Sequence, residues 1–241
     1  MLKTLGIVKG ALLTEKQCGH LARRLNGMSV LEWVVRQMTD CELLSGVIVL
    51  ADEGAAGEQV RRLAPFDVPV FAPPAKDTLS LLQQTFEHFS ADACVFIGAD
   101  YPFLDPTLID QLILSAEKVP DCHYAAYRFT NEIFSVGRPY GLFPEWYQRD
   151  SLRKIAGRVT DPIYRQLPGT YYLDNRNRYK VKLLSAPAEL DQQEQLRFTF
   201  NNEADWDDIL DLSDALDMEA FDSRKVGGLL KPRYAEMAFA E

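Results

Sequence analysis

The chain lacks the residue patterns that mark several classes of protein. Its four cysteines have no Cys-x-x-Cys spacing, which argues against structural zinc or a disulfide framework and favours reduced thiols. The apolar stretch at the amino terminus is far shorter than the roughly 18 residues of a membrane span, and no small-residue cleavage pattern follows it. We therefore expect a cytoplasmic protein that does not bind a membrane.

Positive charge is also scarce. The 241 residues carry a formal net charge of −9 at pH 7, which repels polyphosphate backbones, and we find no concentrated basic patch to compensate. We therefore expect no nucleic-acid partner, whereas a small phosphorylated ligand is compatible with the sequence. Hydrophobic residues make up 47% of the chain, enough to bury one sizeable core.

Strand-like and helix-like segments alternate before residue 121. Four short apolar runs, LGIVKG, SGVIVLAD, VPVFAP and ACVFIGAD, are typical of buried strands. The segments between and after them indicate helices: GMSVLEWVVRQM, with Ser29 and Glu32 at capping-box spacing, AGEQVRRLA, DTLSLLQQTFEHF, and DPTLIDQLILSAEK, with Asp105 as cap and Pro106 first. This pattern predicts an α/β fold with a mostly parallel central sheet flanked by helices.

From about residue 121 the pattern changes to a small β-rich elaboration. We expect strands in CHYAAYRF and YKVKLLSAP, a helix in RDSLRKIAGR, and a strand, an Asn-Asn corner and a helix in LRFTFNNEADWDDILDL. An irregular polar stretch precedes YKVKLLSAP. We therefore expect one α/β domain over residues 1–220, with the elaboration at 121–190, and a carboxyl-terminal tail over 221–241.

The segment KGALLTEKQCGH, residues 9–20, follows the first predicted strand and is expected to be a loop. Asp100 ends the fourth predicted strand. Because ligands of open α/β sheets bind beyond the carboxyl ends of the strands, loop and acid should share one crevice. Asp100 could instead cap the turn before Pro102, and Lys9, Lys16 and His20 could belong to a solvated surface loop.

Four segments, in order, resemble one family of enzymes. VFIGADYPFLDPTLIDQLI is similar to an apolar strand followed by Gly-Asp-Cys-Pro and then Leu-Ile-Asp-Pro, and GMSVLEWVV is similar to Gly-Lys-Pro-Val-Leu-Glu-Trp-Val. PYGLFPEWYQRDSL resembles Pro-x-Gly-Leu-Asp-Val-Glu-Val-Phe, and LRFTFNNEADWDDI resembles Arg-x-Thr-Val-Asp-Thr-Pro-Glu-Asp-Leu. These motifs are typical of cytidylyltransferases that activate sugar acids, notably the spore-coat polysaccharide biosynthesis protein F type and the 3-deoxy-manno-octulosonate cytidylyltransferases.

The resemblance implies a single Rossmann-like nucleotide-diphospho-sugar transferase fold. It also implies a Mg²⁺-dependent transfer of CMP from CTP to a sugar acid or related sugar in surface polysaccharide biosynthesis. Residues 121–190 would then bind the acceptor or form a homodimer. The candidate residues are Asp100, Lys16 and His20 for catalysis, Lys9, Gly19, Asp77, Arg128 and Glu145 for substrate binding, and Asp100 with Asn201 for the metal.

The predicted phosphate loop departs from the family pattern. Ala11 and Lys16 stand where the family has arginines, His20 where it has a phosphate-binding lysine, and Asn201 where it has an aspartate. Each replacement weakens the binding of phosphate or metal. A catalytically degenerate relative that serves in binding or as a scaffold is therefore an alternative to the enzyme. A glycosyltransferase of the same architecture is a third hypothesis, which the lack of an Asp-x-Asp pair in GAD disfavours.

Overall fold

A seven-stranded mixed sheet with helices on both faces forms the centre of the fold. The computed structural model describes residues 1–130, 133–137, 140–191, 198–200, 202–216 and 222–225. The described strands are β1 (Thr4–Lys9), β2 (Arg24–Leu25), β3 (Met28–Ser29), β4 (Val47–Leu50), β5 (Val70–Phe71), β6 (Ala93–Gly98), β7 (Tyr124–Arg128), β8 (Glu145–Gln148) and β9 (Val181–Ser185). The described helices are α1 (Glu15–Leu21), α2 (Val30–Thr39), α3 (Ala55–Leu63), α4 (Thr78–His88), α5 (Pro106–Glu117), α6 (Arg149–Ala156), α7 (Pro162–Gln166), α8 (Pro168–Asp174) and α9 (Glu203–Ala215). None of these helices has both the length and the apolar character that a membrane crossing needs.

The strand order brings the ends of three strands to one edge of the sheet. The order is β5-β4-β1-β6-β8-β7-β9, with parallel pairing from β5 through β6 and between β7 and β9. Strand β8 runs antiparallel to both of its neighbours. Its amino end therefore lies where β1 and β6 have their carboxyl ends. The register places Gly98 beside Lys9 and Phe96 beside Glu145 at this edge.

Side chains of the central strands alternate between two hydrophobic clusters, one on each face of the sheet. In β6, Val95 and Ile97 face the cluster that includes residues of α2, α5 and α9, whereas Cys94 and Phe96 face the one that includes residues of α4, α6 and α8. This is the period of two expected of a strand that is buried on both faces. Because helices cover both faces, the open edge at the strand ends is where a ligand can reach the sheet.

The predicted α/β fold is confirmed, and two of its helices begin at the predicted caps. Helix α2 follows Ser29, whose hydroxyl accepts a hydrogen bond from the Glu32 N–H at 3.1 Å. Helix α5 follows Asp105, whose Oδ1 accepts the Thr107 N–H at 2.8 Å, and has Pro106 as its first residue. These hydrogen bonds use donors that a helix start otherwise leaves without partners.

Four segments differ from the sequence-based expectations. The 9–20 segment is not a continuous loop, because Thr14 caps helix α1 within it. Glu145–Gln148 forms β8, a strand of four residues directly after Pro144 that is too short to show a period. Helices α7 and α8 occupy the stretch expected to be irregular. The strand expected in LRFTF is absent from its described residues, 198–200.

The carboxyl-terminal segment 222–225 packs on the domain. Ser223 is buried, and its N–H donates to Asp105 Oδ2 at 3.0 Å. The same carboxylate caps α5 through its other oxygen. One buried side chain therefore joins the start of α5 to the end of the described chain.

Candidate active site

Three charged side chains from different strands meet at the open edge of the sheet. Lys9 ends β1, Asp100 follows β6, and Glu145 begins β8. All three line one cavity of about 260 Å³, whose further polar lining comes from Gln17, Thr78, Tyr101, Tyr147, Gln166 and Thr199. The reversed direction of β8 is what brings Glu145 to this edge, since its first residue lies where the neighbouring strand β6 ends.

A tight turn after β6 holds Asp100 in place. A Cβ on Gly98 would lie 2.5 Å from Asp100 Oδ1 and 2.7 Å from the ring of Tyr101, so a larger residue does not fit there without movement. Behind the turn, Trp33 Nε1 donates to the Pro102 carbonyl at 2.8 Å. Burial raises the pKa of Asp100, while a backbone hydrogen bond and the charge of Lys9 act against this shift. A cation beside Asp100 would favour its ionised form.

Two tyrosine hydroxyls orient the carboxylate of Glu145. Tyr124 and Tyr147 both donate to Glu145 Oε2, each at 2.6 Å. Gly169 of α8 leaves room for this arrangement, since a Cβ there would lie 2.2 Å from Glu145 Oε2 and 2.4 Å from the Tyr124 hydroxyl. Burial raises the pKa of Glu145, while the two hydroxyl hydrogen bonds and Lys9 oppose that shift. Glu145 is thus fixed by packing among β7, β8 and α8.

Lys9 supplies positive charge to this crevice. Burial lowers the pKa of its ammonium group, and the carboxylates of Asp100, Glu145 and Asp52 oppose the shift. Among the described residues that line the 260 Å³ cavity, no other side chain carries a positive charge. Two carboxylates therefore face one ammonium, and a polyphosphate would need further cations to bind here.

The segment between β1 and α1 is held by hydrogen bonds within the protein. Leu12 has a φ of 59°, and its N–H donates to Asp52 Oδ2 at 2.7 Å. Thr14 and Gln17 form a capping box, in which the Thr14 N–H donates to Gln17 Oε1 at 2.9 Å. Two backbone donors that could serve a phosphate are therefore already paired. Lys16 is exposed on α1 and does not line the cavity.

His20 and Asp100 line a second, smaller cavity. Its volume is about 20 Å³, roughly the space of one water molecule or ion. The Nδ1 atom of His20 is buried and has no hydrogen-bond partner among the described residues, and its ring centroid lies 5.8 Å from that of Phe200. The side chains of His20 and Asp100 thus line one ion-sized space, and imidazole nitrogen and carboxylate oxygen are suitable donors for a divalent metal.

A metal at this position would need ligands in addition to His20 and Asp100. These residues contain no group of three or more His, Cys, Asp or Glu side chains arranged to hold a metal ion. Divalent ions at phosphate-transfer sites commonly take one or two protein ligands and complete their coordination with phosphate oxygens and water. His20 and Asp100 fit that arrangement.

The other predicted site residues line neither cavity or lie outside the described chain. Gly19 is exposed in α1. Asp77 caps α4 and accepts hydrogen bonds from Arg165 at 2.8 and 3.1 Å, an ion pair that joins α4 to α7. Arg128 ends β7 and lines neither of the two cavities. Asn201 lies outside the described residues.

Sequence reasoning missed the residues that support the site. Tyr147 and Glu145 are two residues apart, which would place them on one strand face, but the strand itself was not predicted. Asp52 follows the second predicted strand much as Asp100 follows the fourth, so its position at the ligand edge offered a usable signal. No local pattern identifies Tyr124 or Gly169, because their contact with Glu145 arises from tertiary packing.

Comparison with known proteins gives a family and a fold. Residues 20–167 match the family described as MobA-like NTP transferase domain, and no curated protein matches the sequence. A cytidylyltransferase from Leptospira borgpetersenii is similar in structure, with a TM-score of 0.80 at 16% identity over 97% of this chain and 94% of the other.

Two further solved structures carry a bound nucleotide or metal. A CMP:2-keto-3-deoxy-manno-octonic acid synthetase complexed with CTP has a TM-score of 0.64 at 12% identity, over 87% of this chain and 98% of the other. The Rv0371C protein of Mycobacterium tuberculosis in complex with manganese has a TM-score of 0.58 at 16% identity, over 87% and 98% of the two chains. At these identities the likeness establishes the fold.

Proposed function

The chain belongs to the family of MobA-like NTP transferase domains, and on that basis we propose that it transfers CMP from CTP to a sugar acid or related sugar for surface polysaccharide biosynthesis. The observation that carries the proposal is the convergence of Lys9, Asp100 and Glu145 in one cavity at the ligand edge of the sheet. Two structures of similar fold are described as a cytidylyltransferase and as a synthetase complexed with CTP. These descriptions support CTP as the donor.

In the proposed reaction an acceptor hydroxyl loses its proton to solvent, its oxygen forms a bond to the α-phosphorus of CTP, and the bond from that phosphorus to the leaving pyrophosphate breaks. Negative charge on the phosphate oxygens has to be neutralised in the transition state, and Lys9 is the described side chain placed to contribute. A divalent ion on Asp100, Mg²⁺ in this proposal, would supply the remaining positive charge.

The acceptor would bind on the side of the cavity formed by residues 121–190. Glu145, Tyr147 and the segment 166–168 all come from this region and line the cavity. Glu145 is held rigidly by two hydroxyl groups, so its carboxylate can accept a hydrogen bond from an acceptor hydroxyl in one fixed orientation. Glu145 therefore positions the acceptor, while Lys9 contacts the phosphates of the nucleotide and Asp100 holds the metal ion.

Thermal unfolding with CTP, UTP, ATP and GTP, each with and without Mg²⁺, tests the proposal. A ligand at a hundredfold excess over its Kd adds about 2.7 kcal/mol to stability, or about 5–10 °C in Tm for a chain of this size. We expect a Mg²⁺-dependent shift with CTP that Asp100→Ala abolishes, and pyrophosphate release when a suitable acceptor is added. The absence of a shift with any nucleotide at millimolar concentration, with Mg²⁺ and with Mn²⁺, would refute the proposal.

A non-catalytic relative that binds a nucleotide or acts as a scaffold is the second candidate. The pairing of the Leu12 N–H with Asp52 and the exposure of Lys16 favour it. Ala11 is fully buried, so an arginine at this position would start inside the packed core and would have to displace neighbouring side chains. Such a protein would release no pyrophosphate with any acceptor. If the loss of activity comes only from histidine at position 20, where the family has a phosphate-binding lysine, His20→Lys should create turnover.

A further inference from the structure

We propose that His20 binds the metal of this site through Nδ1, together with the carboxylate of Asp100, and that this nitrogen makes the site prefer Mn²⁺ to Mg²⁺. The inference rests on the proposed function, because the metal would also contact the nucleotide phosphates. Its structural basis is the cavity of about 20 Å³ between α1 and the turn after β6.

The surroundings of His20 leave its buried nitrogen without a protein partner. The cavity lining consists of Leu13, Leu21 and Phe200, which are apolar, and Gln17, His20 and Asp100, which are polar. A buried polar atom without a hydrogen bond costs about 1–3 kcal/mol. The unpartnered Nδ1 is therefore best explained by a ligand that completes the site.

A dication satisfies this cavity better than a water molecule does. Water could hydrogen-bond to Nδ1, but it would leave the negative charge of the half-buried Asp100 balanced mainly by Lys9, which also faces Glu145. A divalent ion takes the nitrogen lone pair and offsets the carboxylate charge at once. It would also add to the single positive charge that Lys9 brings to the larger cavity.

The donor set decides which dication is preferred. Mg²⁺ strongly favours oxygen ligands and gives up its water reluctantly, whereas imidazole nitrogen is a good ligand for first-row transition metals. The other expected ligands are carboxylate and phosphate oxygens, which Mn²⁺ accepts readily. Among the metals that tolerate both kinds of donor, Mn²⁺ fits an oxygen-rich site with one nitrogen.

Pulsed electron paramagnetic resonance of the full chain with Mn²⁺, with and without CTP, tests the ligand directly. We expect electron spin-echo modulation from a coupled nitrogen, with the frequencies of ¹⁵N when the histidines are ¹⁵N-labelled. His20→Ala should remove the modulation. His88→Ala should retain it, because His88 lies in α4 and stacks on Phe71.

Isothermal titration of Mn²⁺ and Mg²⁺ into the same proteins tests the preference. His20→Ala should weaken Mn²⁺ binding by about tenfold or more and Mg²⁺ binding by less. Mn²⁺ that binds without histidine coupling, or an unchanged ratio of the two Kd values in His20→Ala, would overturn the inference. If His20→Ala does not fold, coupling that is retained in both His88→Ala and His123→Ala assigns the ligand to His20, and coupling lost in either of them overturns the inference.

The two proposals fail in different ways. If CTP never binds but Mn²⁺ alone shows histidine coupling, the nucleotidyltransferase proposal fails and the metal site stands. If CTP binds with Mn²⁺ and no histidine coupling is seen, the metal inference fails and the proposed function stands.

Discussion

Replacement of Gly169 by alanine should break the arrangement that holds Glu145. The new Cβ would lie 2.2 Å from Glu145 Oε2 and 2.4 Å from the Tyr124 hydroxyl. Both distances are shorter than 3.0 Å, below which Cβ contacts essentially do not occur in proteins. Either α8 moves away or the hydrogen bond from Tyr124 to Glu145 is lost. Overpacking costs about 1–3 kcal/mol, and a hydrogen bond to a charged group contributes about 1.5–3 kcal/mol.

Because one of these two costs applies, the expected destabilisation of Gly169→Ala is about 1–3 kcal/mol. Each kcal/mol lowers the Tm of a chain of this size by about 2–4 °C. Urea and thermal unfolding would measure both quantities. Gly157→Ala is the matched control, because Gly157 has a φ of −80° and a Cβ there meets no atom within 4 Å.

The control should gain about 0.4–1 kcal/mol, because alanine restricts the unfolded chain. If Gly169→Ala were as stable as the wild type within about 0.5 kcal/mol, a range typical of unconstrained surface sites, the conclusion that Gly169 packs closely against Glu145 would be wrong. Relief of the loss by a second substitution, Tyr124→Phe, would locate the clash at the hydroxyl.

Three further substitutions test other parts of the structure. Asp100→Asn should stabilise the protein, by an amount that grows as pH rises above 3.8. The pKa of Asp100 is raised in the folded state, so the wild type loses stability as this half-buried carboxyl ionises; urea unfolding across pH would show it. Gly19→Ala should raise stability by about 0.5–1 kcal/mol, since alanine favours the helix and its Cβ meets nothing within 4 Å; a lower Tm would contradict this. Asp105→Ala should lose about 1–2 kcal/mol for the cap of α5, and more if the contact with Ser223 contributes, whereas Asp105→Asn should retain most of the cap in the same unfolding assay.

The first half of the fold was predictable because its signals are local. Each strand of the central sheet there lies in a short apolar run, and the caps Ser29 and Asp105 stand directly before the helices they begin. The carboxyl ends of parallel strands also meet at one edge of the sheet, so the sequence alone places Lys9 and Asp100 together.

The second half depends on contacts that no local pattern records. β8 has four residues and reverses direction within the sheet, and only this reversal brings Glu145 to the ligand edge. The position of Glu145 was suggested by family resemblance, whereas its partners Tyr124 and Gly169 follow from how α8 packs on the sheet. Tertiary packing around His20 likewise leaves its Nδ1 atom without a hydrogen-bond partner, which no local sequence pattern predicts.

The hydrogen bond from Leu12 to Asp52 keeps the segment after β1 ordered before any nucleotide arrives. The backbone of Leu12 has a left-handed conformation, which residues other than glycine adopt only at a cost in free energy. Fixing one residue's backbone costs about 1–2 kcal/mol in conformational entropy, and here folding has met that cost already. A phosphate that takes the Leu12 N–H therefore displaces a carboxylate, and its entry is an exchange of one anion for another.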